Sequence, residues 1–281
     1  MEKLCLITGA NSGVGLATAM ALAKNGARVV LACRDTQRGQ AALETIRANT
    51  GSRKLELMLL DLGRLQSIRD FAAEFKKKHN RLDVLVNNAG AMLAKRTTTH
   101  DGFETTFGVN HLGPFLLTNL LLEVLKASHP ARIVNVASGA HSFGWMDFGD
   151  LQGERFYLGF KAYSQSKLAN IIFTCELAER LKGSGVTANC LHPGMVDSNF
   201  ANPKAGSFHW LGKLIRPLMV TIEQGADTAV YLATSPDVEG VSGKYFYKRK
   251  AVKSSRKSRS KSAANKLWAI SEKLTGLKEK N

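Results

Sequence analysis

Cysteine is scarce and scattered in this chain. The four, at positions 5, 33, 175 and 190, form no CxxC pair, so neither a disulfide framework nor a zinc site is expected and the thiols read as reduced. Long apolar runs are also missing. No stretch reaches the ~20 uninterrupted apolar residues of a bilayer-spanning helix. The opening MEKLCLITG enters a strand pattern directly, without an apolar run of signal-peptide length. Internal repeats are absent too, which excludes solenoids and propellers. Acidic residues number only 23 against 39 Lys and Arg, a net charge of +16 that at first resembles a nucleic-acid-binding protein. Its distribution changes that reading: residues 244–281 hold 13 basic and 2 acidic residues, leaving only +5 for the first 243. A soluble cytoplasmic protein with a basic end is expected.

What the chain does have is alternation. Hydrophobic residues make up 44% of its 281 positions, enough for a substantial core. Short apolar runs, LCLI (4–7), RVVLAC (28–33), LELMLL (55–60), DVLV (83–86), RIVNV (132–136), VTANCL (186–191) and KYFY (244–247), read as strands. Between them lie helix-like segments near 13–25, 36–49, 65–79, 103–127, 163–182 and 223–234. Strands apolar on both faces and alternating with helices predict an α/β fold: a single doubly wound Rossmann-type domain of about seven parallel strands. We take residues 1–247 as this domain and 248–281 as a basic C-terminal tail. In the tail, KRKAVKSSRKSRSK reads as flexible, and NKLWAISEKLTGL resumes as a short amphipathic helix packing back through Leu267, Trp268, Ile270 and Leu274. Two long excursions follow strand ends, 139–162 and 195–222, where ligands bind in open α/β sheets.

The first strand runs into TGANSGVG, with Gly9, Asn11, Ser12, Gly13, Val14 and Gly15 at the junction with the first helix. Glycines here permit a tight turn and close approach of a pyrophosphate, and the helix N-terminus offers N–H groups to the anion. A glycine triplet is weak evidence alone, but this strand-to-helix context is the one dinucleotide binding requires. At the end of the second strand, where an NAD site usually has an acid, the chain has Cys33 followed by Arg34. A basic side chain there suits a 2′-phosphate, so NADP(H) is expected over NAD, unless Arg34 only pairs with Asp35. Arg38 either adds to that site or is a solvated surface residue.

The stretch FYLGFKAYSQSK contains two Tyr/Lys pairs four residues apart, Tyr157 with Lys161 and Tyr163 with Lys167. Leu168, Ile171, Ile172, Cys175 and Ala178 continue a helical period from Tyr163, so Tyr163 and Lys167 project from one face. Tyr157 and Lys161 are separated by Leu-Gly-Phe and read as a loop in which Tyr157 and Phe160 line or cover a pocket.

TGANSGVG, LDL with Asp61 and Leu62, NNAG, VNHLG, IVNVAS, YSQSK and HPGMVDS together resemble the short-chain dehydrogenase/reductase family over nearly the whole chain. LACRD, DGFETTFGVNHLGPFLLT, YSQSKLANIIFT, LKGSGVT and KLWAISEKLTGL resemble its retinol dehydrogenase-like branch, which acts on lipophilic alcohols and aldehydes. The resemblance implies Tyr163 as general acid and base, Lys167 as its partner and holder of the nicotinamide ribose, Ser138 as donor to the substrate oxygen, and Asn110 as holder of a relay water. It places Asp61 near the adenine, Asn88, Ala89 and Gly90 along the adenine ribose, and Pro193, Gly194, Val196 and Ser198 along the nicotinamide amide. Ala137 and Pro114 depart from the branch without touching this chemistry. Membrane-bound relatives carry an apolar segment before the phosphate loop; this chain does not, so membrane integration is not implied.

Phe200, Phe208, Trp210, Leu211, Leu214, Ile215, Leu218 and Met219 make 195–222 a candidate lid over an apolar substrate, or a surface packed on the body or on a second subunit. His141 reads as a pocket-wall residue within reach of the substrate. The basic tail reads as a solubilising end or, second, as peripheral contact with anionic membrane; no nucleic-acid module accompanies it. The expected function is NADP(H)-dependent interconversion of a lipophilic alcohol and its carbonyl. The alternatives are a broad-specificity carbonyl reductase and a catalytically idle NADPH-binding scaffold. The resembling family also makes a homo-oligomer an expectation.

Overall fold

A computed structural model describes residues 2–196 and 219–277. Its centre is one eight-stranded sheet built from β1 (Leu4–Thr8), β2 (Arg28–Cys33), β3 (Leu55–Leu59), β4 (Val84–Asn87), β5 (Ala131–Val136), β6 (Val186–His192), β7 (Tyr245–Tyr247) and β8 (Lys250–Val252). The order is β3-β2-β1-β4-β5-β6-β7-β8. The first seven are parallel and β8 pairs antiparallel with β7.

The two-residue period of a strand divides its side chains between two cores. Leu4 and Leu6 of β1 face one core and Cys5 and Ile7 the other. On the first face the sheet is covered by α3 (Leu65–Lys78), α5 (Gly113–Leu120) and α7 (Gly159–Arg180), through Phe71, Phe75, Phe115 and Phe173. On the second lie α1 (Gly13–Lys24), α2 (Thr36–Thr50) and a helix over Ile222–Thr234, through Leu22, Ile46, Ala229 and Leu232. Strand order reverses direction between β1 and β4, and the crevice for a ligand opens beyond their carboxyl ends.

Two expectations are corrected. The segment expected as one helix over 103–127 is broken: α4 (Thr105–Phe107) passes through a π-turn (Gly108–Leu112) into α5, and α6 (Leu122–Ala127) follows. The segment 248–261, expected to be flexible, carries β8 and a 3₁₀ turn (Arg256–Arg259). With Ile222–Thr234 as α8, the last helix, α9 (Lys261–Thr275), packs Trp268 edge-on against Phe115, with ring centroids 5.0 Å apart. The Arg180 guanidinium lies over the Trp268 ring, 4.0 Å from its centroid.

The turn between β7 and β8 explains why it was hidden. Lys248 and Arg249 both adopt left-handed backbone, φ +49° and +61°, the two-residue hairpin geometry normally signalled by Asn-Gly. Tertiary contacts substitute for that propensity. The Arg249 N–H donates to Thr228 Oγ1 (3.1 Å) and its Nε to Asp227 Oδ2 (2.7 Å).

Candidate active site

The glycine loop is shaped for a close ligand. Gly9 and Gly13 sit at φ +65° and +52°, which other residues rarely adopt. A Cβ on Gly15 would overlap the Gly9 carbonyl oxygen and the Asn88 amide. Ser12 is extended and caps α1 without a side-chain bond, and the first turn has no acid. The N-terminal N–H groups therefore keep their affinity for an anion. Asn11 and Ala10 donate backbone hydrogen bonds to the Cys33 thiol, whose burial pushes its pKa up to about 11. Thr8, missed in the sequence, fastens β1 to the NNAG turn: its Oγ1 accepts from the N–H groups of Asn88 and Ala89, both at 3.0 Å. Asn88 returns a bond from Nδ2 to Thr8 O (2.9 Å).

At the end of β2, Arg34 is exposed and makes no ion pair or hydrogen bond with the described residues. Asp35 does not hold it, because its carboxylate caps α2 by accepting from Arg38 N (2.8 Å). Asp61 is half-buried and accepts from Gly63 N (2.9 Å), and Leu62 is buried. Pro193 and Gly194 follow β6. Val196 forms a bridge with Val220 that sets this turn against α8. Ser198 and the residues of the expected lid from Phe200 to Leu218 lie outside the described residues. These surfaces fit a dinucleotide: glycine where a diphosphate approaches, an uncapped helix start beneath it, and a cation at the ribose end.

The four expected catalytic residues are brought together. Ser138 ends β5, and its hydroxyl accepts from Ala140 N (3.2 Å) and is hydrogen-bonded to the Tyr163 phenol. Tyr163 and Lys167 lie one turn apart on α7, with Lys167 Nζ 5.7 Å from the Tyr163 ring centroid. Lys167 is buried and donates to Val136 O (2.9 Å). A Cβ on Gly90 would stand 3.4 Å from both Lys167 Nζ and Asn110 Oδ1, so glycine leaves the space between them open. Asn110 is fixed at both amide atoms: Oδ1 accepts from Ala91 N (2.7 Å), and Nδ2 donates to Ala91 O and Ser166 Oγ, both at 2.9 Å. Ser166, also missed, passes its own proton to Tyr163 O (2.7 Å).

Burial dominates the electrostatics. It lowers the Lys167 ammonium to about 8. It also raises the Tyr163 phenol, against the opposing pull of the Ser138 hydrogen bond. Its phenol is thereby kept protonated, the form that donates.

Tyr157 and Lys161 are elsewhere employed. The Tyr157 hydroxyl bonds Leu93 O and Glu104 Oε1, both at 3.1 Å. Lys161 is exposed and 3.7 Å from the Asp147 carboxylate. His141 is not a pocket-wall residue: it is buried, with Nδ1 2.7 Å from Ser138 O and Nε2 accepting from Ser255 N (3.2 Å). Sequence reading also missed the buried amide ladder beneath the site, Asn87 Nδ2 to Asn135 Oδ1 (2.8 Å) and Asn135 Nδ2 to Thr174 Oγ1 (2.9 Å).

Among the described residues no helix is long and apolar enough to cross a membrane. Residues 3–206 match the family described as short chain dehydrogenase. The chain is 47% identical over 275 residues to retinol dehydrogenase 12 of Mus musculus, covering 98% of this chain and 87% of that protein. It is 46% identical over 275 residues to retinol dehydrogenase 11 of Homo sapiens, covering 98% and 86%. Among solved structures, an uncharacterized protein from Mycobacterium paratuberculosis superposes with TM-score 0.79 at 37% identity, covering 98% of this chain and 93% of that one. The NADP complex of Pseudomonas aeruginosa RhlG superposes with TM-score 0.72 at 25% identity, covering 87% and 93%. Likeness of this extent, joined to a glycine turn after the first strand and a Tyr-Lys pair one helical turn apart, fixes the assignment: the chain belongs to the short-chain dehydrogenase/reductase family, in its retinol dehydrogenase-like branch, and is an oxidoreductase of alcohol and carbonyl groups.

Proposed function

We propose that the protein is an NADP(H)-dependent oxidoreductase that interconverts a lipophilic alcohol, of the retinol kind, with its aldehyde or ketone. The observation that carries the substrate class is the exposed apolar surface of the segment that joins Ser138 to Tyr163. Phe143, Trp145, Phe156, Leu158 and Phe160 are each at least half exposed, with values of 50–76%. All lie on the segment between those two catalytic residues, and Phe143 and Phe160 meet with centroids 5.9 Å apart. Exposed apolar surface of this density, on the segment that connects the two catalytic groups, suits an apolar substrate. The NADP(H) preference rests on Arg34, left available by the commitment of Asp35 to its helix, and is supported by the NADP complex of the structurally similar RhlG.

When bound, the nicotinamide supplies or accepts a hydride. In carbonyl reduction the Tyr163 phenol gives its proton to the substrate oxygen, a step suited to a phenol that burial keeps protonated. The Ser138 hydroxyl donates to the same oxygen and stabilises the charge developing there. Lys167 would hold the nicotinamide ribose hydroxyls; once Tyr163 has given its proton to the substrate, Lys167 restores it and takes its own replacement from solvent through a water that Asn110 orients. Gly9 to Gly15 receive the diphosphate, Asp61 and Leu62 the adenine, Asn88 to Gly90 its ribose, and Pro193, Gly194, Val196 and Ser198 the carboxamide. The basic C-terminal segment makes a peripheral contact with anionic lipid at the cytoplasmic face.

The test is oxidation of NADPH and NADH, followed by loss of reduced-nicotinamide absorbance, with all-trans-retinal, a long-chain aldehyde and an aromatic ketone. NADPH-linked turnover concentrated on retinal supports the proposal. Even turnover of all three replaces it with a broad-specificity carbonyl reductase. Tight NADPH binding without turnover replaces it with a nucleotide-binding scaffold.

A further inference from the structure

Two histidines stand beside two of the catalytic residues, and both are bonded to the C-terminal segment. His141 lies three positions after Ser138, in a 3₁₀ turn over Gly139–Phe143. Its Nε2 accepts from the Ser255 N–H, so the ring proton is on Nδ1, where it donates to Ser138 O at 2.7 Å. The ring stands edge-on to Tyr245, centroids 4.9 Å apart. His111 follows Asn110 in the π-turn. Its partner, Ser271 Oγ, spends its own proton on Leu267 O (2.8 Å) and therefore accepts from His111 Nε2 at 2.8 Å. The ring proton is then on Nε2, and Nδ1 makes no hydrogen bond of ordinary geometry among the described residues. Opposite tautomers serve one purpose: each neutral imidazole links the backbone around a catalytic group to residues 255–271. A third link comes from Lys257, whose Nζ donates to Gly144 O (3.1 Å) at the end of the 3₁₀ turn and stands over the Trp145 ring.

We infer that the basic C-terminal segment is a brace for the catalytic groups, and that His141 and His111 are the positioning residues through which it acts on Ser138 and Asn110. The brace reaches the sheet from the β7 and β8 side and makes no link to the glycine loop among the contacts described above. Loosening it shifts Ser138 and Asn110 while leaving the dinucleotide cradle in place. The inference rests on the proposed roles of those two residues.

The test separates placement from general stability. His141→Asn keeps an amide N–H where Nδ1 stands, and so the bond to Ser138 O, but has no atom that reaches Ser255. Ser271→Ala removes the acceptor for His111 together with the Ser271 bond to Leu267 O inside the last helix. Both are compared with Ile46→Val, a core change in α2 far from the brace. We expect kcat to fall about tenfold in His141→Asn and a few-fold in Ser271→Ala, because small misplacement at a reacting centre is costly. The NADPH Kd, from fluorescence titration, stays within about twofold, and Ile46→Val keeps the wild-type kcat. Equal kcat in His141→Asn and Ile46→Val overturns the inference, as does loss of NADPH affinity in step with kcat. If the wild type turns over none of the carbonyls, the proposed activity fails and the brace is read from amide hydrogen exchange. Faster exchange over residues 138–144 in His141→Asn supports it, and unchanged exchange overturns it.

Discussion

His111 makes the protein sensitive to mild acid by an amount that can be worked out. The ring is 1% exposed, tilted 5.1 Å from Phe107 and edge-on 6.0 Å from Phe173. Burial, offset in part by Asn170, lowers its pKa from 6.5 to about 3. In the unfolded chain the same imidazole takes up a proton below its ordinary value, while the folded protein stays neutral. Stability is therefore complete at high pH and falls as pH drops through the unfolded value towards the folded one. At ~1.4 kcal/mol per pH unit, the loss from this residue between about pH 8 and about pH 5 is roughly 2 kcal/mol. His111→Phe cannot titrate and suits the surrounding rings, at the cost of about 1 kcal/mol for the bond to Ser271. Urea unfolding at the two pH values gives the difference for each protein. His192, lowered to about 4 by burial and then by neighbouring His141, contributes equally to both and cancels. The acid-induced loss in His111→Phe should be smaller than that of the wild type by roughly 2 kcal/mol. An equal loss in both proteins refutes the claim that this imidazole is held neutral.

Four further outcomes follow from the site. Tyr163→Phe should abolish turnover while NADPH titration stays near wild type. Tyr157→Phe should keep turnover and lose about 1–2 kcal/mol of stability in urea, since it removes bonds to a carbonyl and a carboxylate. Arg34→Ala should weaken NADPH binding much more than NADH binding, and equal losses would refute the 2′-phosphate contact. Gly15→Ala should raise the Kd for both cofactors and cost about 1–3 kcal/mol of stability, because the new methyl overlaps Gly9 O and the Asn88 amide.

The parallel sheet, the glycine turn after β1 and the placing of Tyr163 and Lys167 one turn apart on a helix were legible because each depends on local pattern: apolar runs, glycine spacing and a sustained helical period. What escaped depends on contacts distant in sequence. The β7–β8 turn uses Lys-Arg where a local signal would be Asn-Gly, and is held by Asp227 and Thr228 some twenty positions earlier. The break at Asn110 was invisible because Phe103 to Ala127 reads as one helix. It comes from close approaches at its glycines: a Cβ on Gly108 would lie 2.8 Å from Thr99 Cγ2, and one on Gly113 2.7 Å from Leu62 O. His141 was misread as a pocket wall because its partner, Ser255, is 114 residues away.

Placing β8 at the end of the sheet also protects the protein from itself. Without it, the Tyr245–Tyr247 strand, aromatic at every position, would present a row of open backbone groups, the template on which chains join edge to edge. The strand that covers it is three residues long, begins with Lys250 and is followed by Lys253. A short, charged edge ends the sheet in a form that a second chain cannot readily extend. Removing residues 248–281 would therefore favour aggregation, and the basic charge that first resembled a nucleic-acid footprint helps keep the folded chains apart.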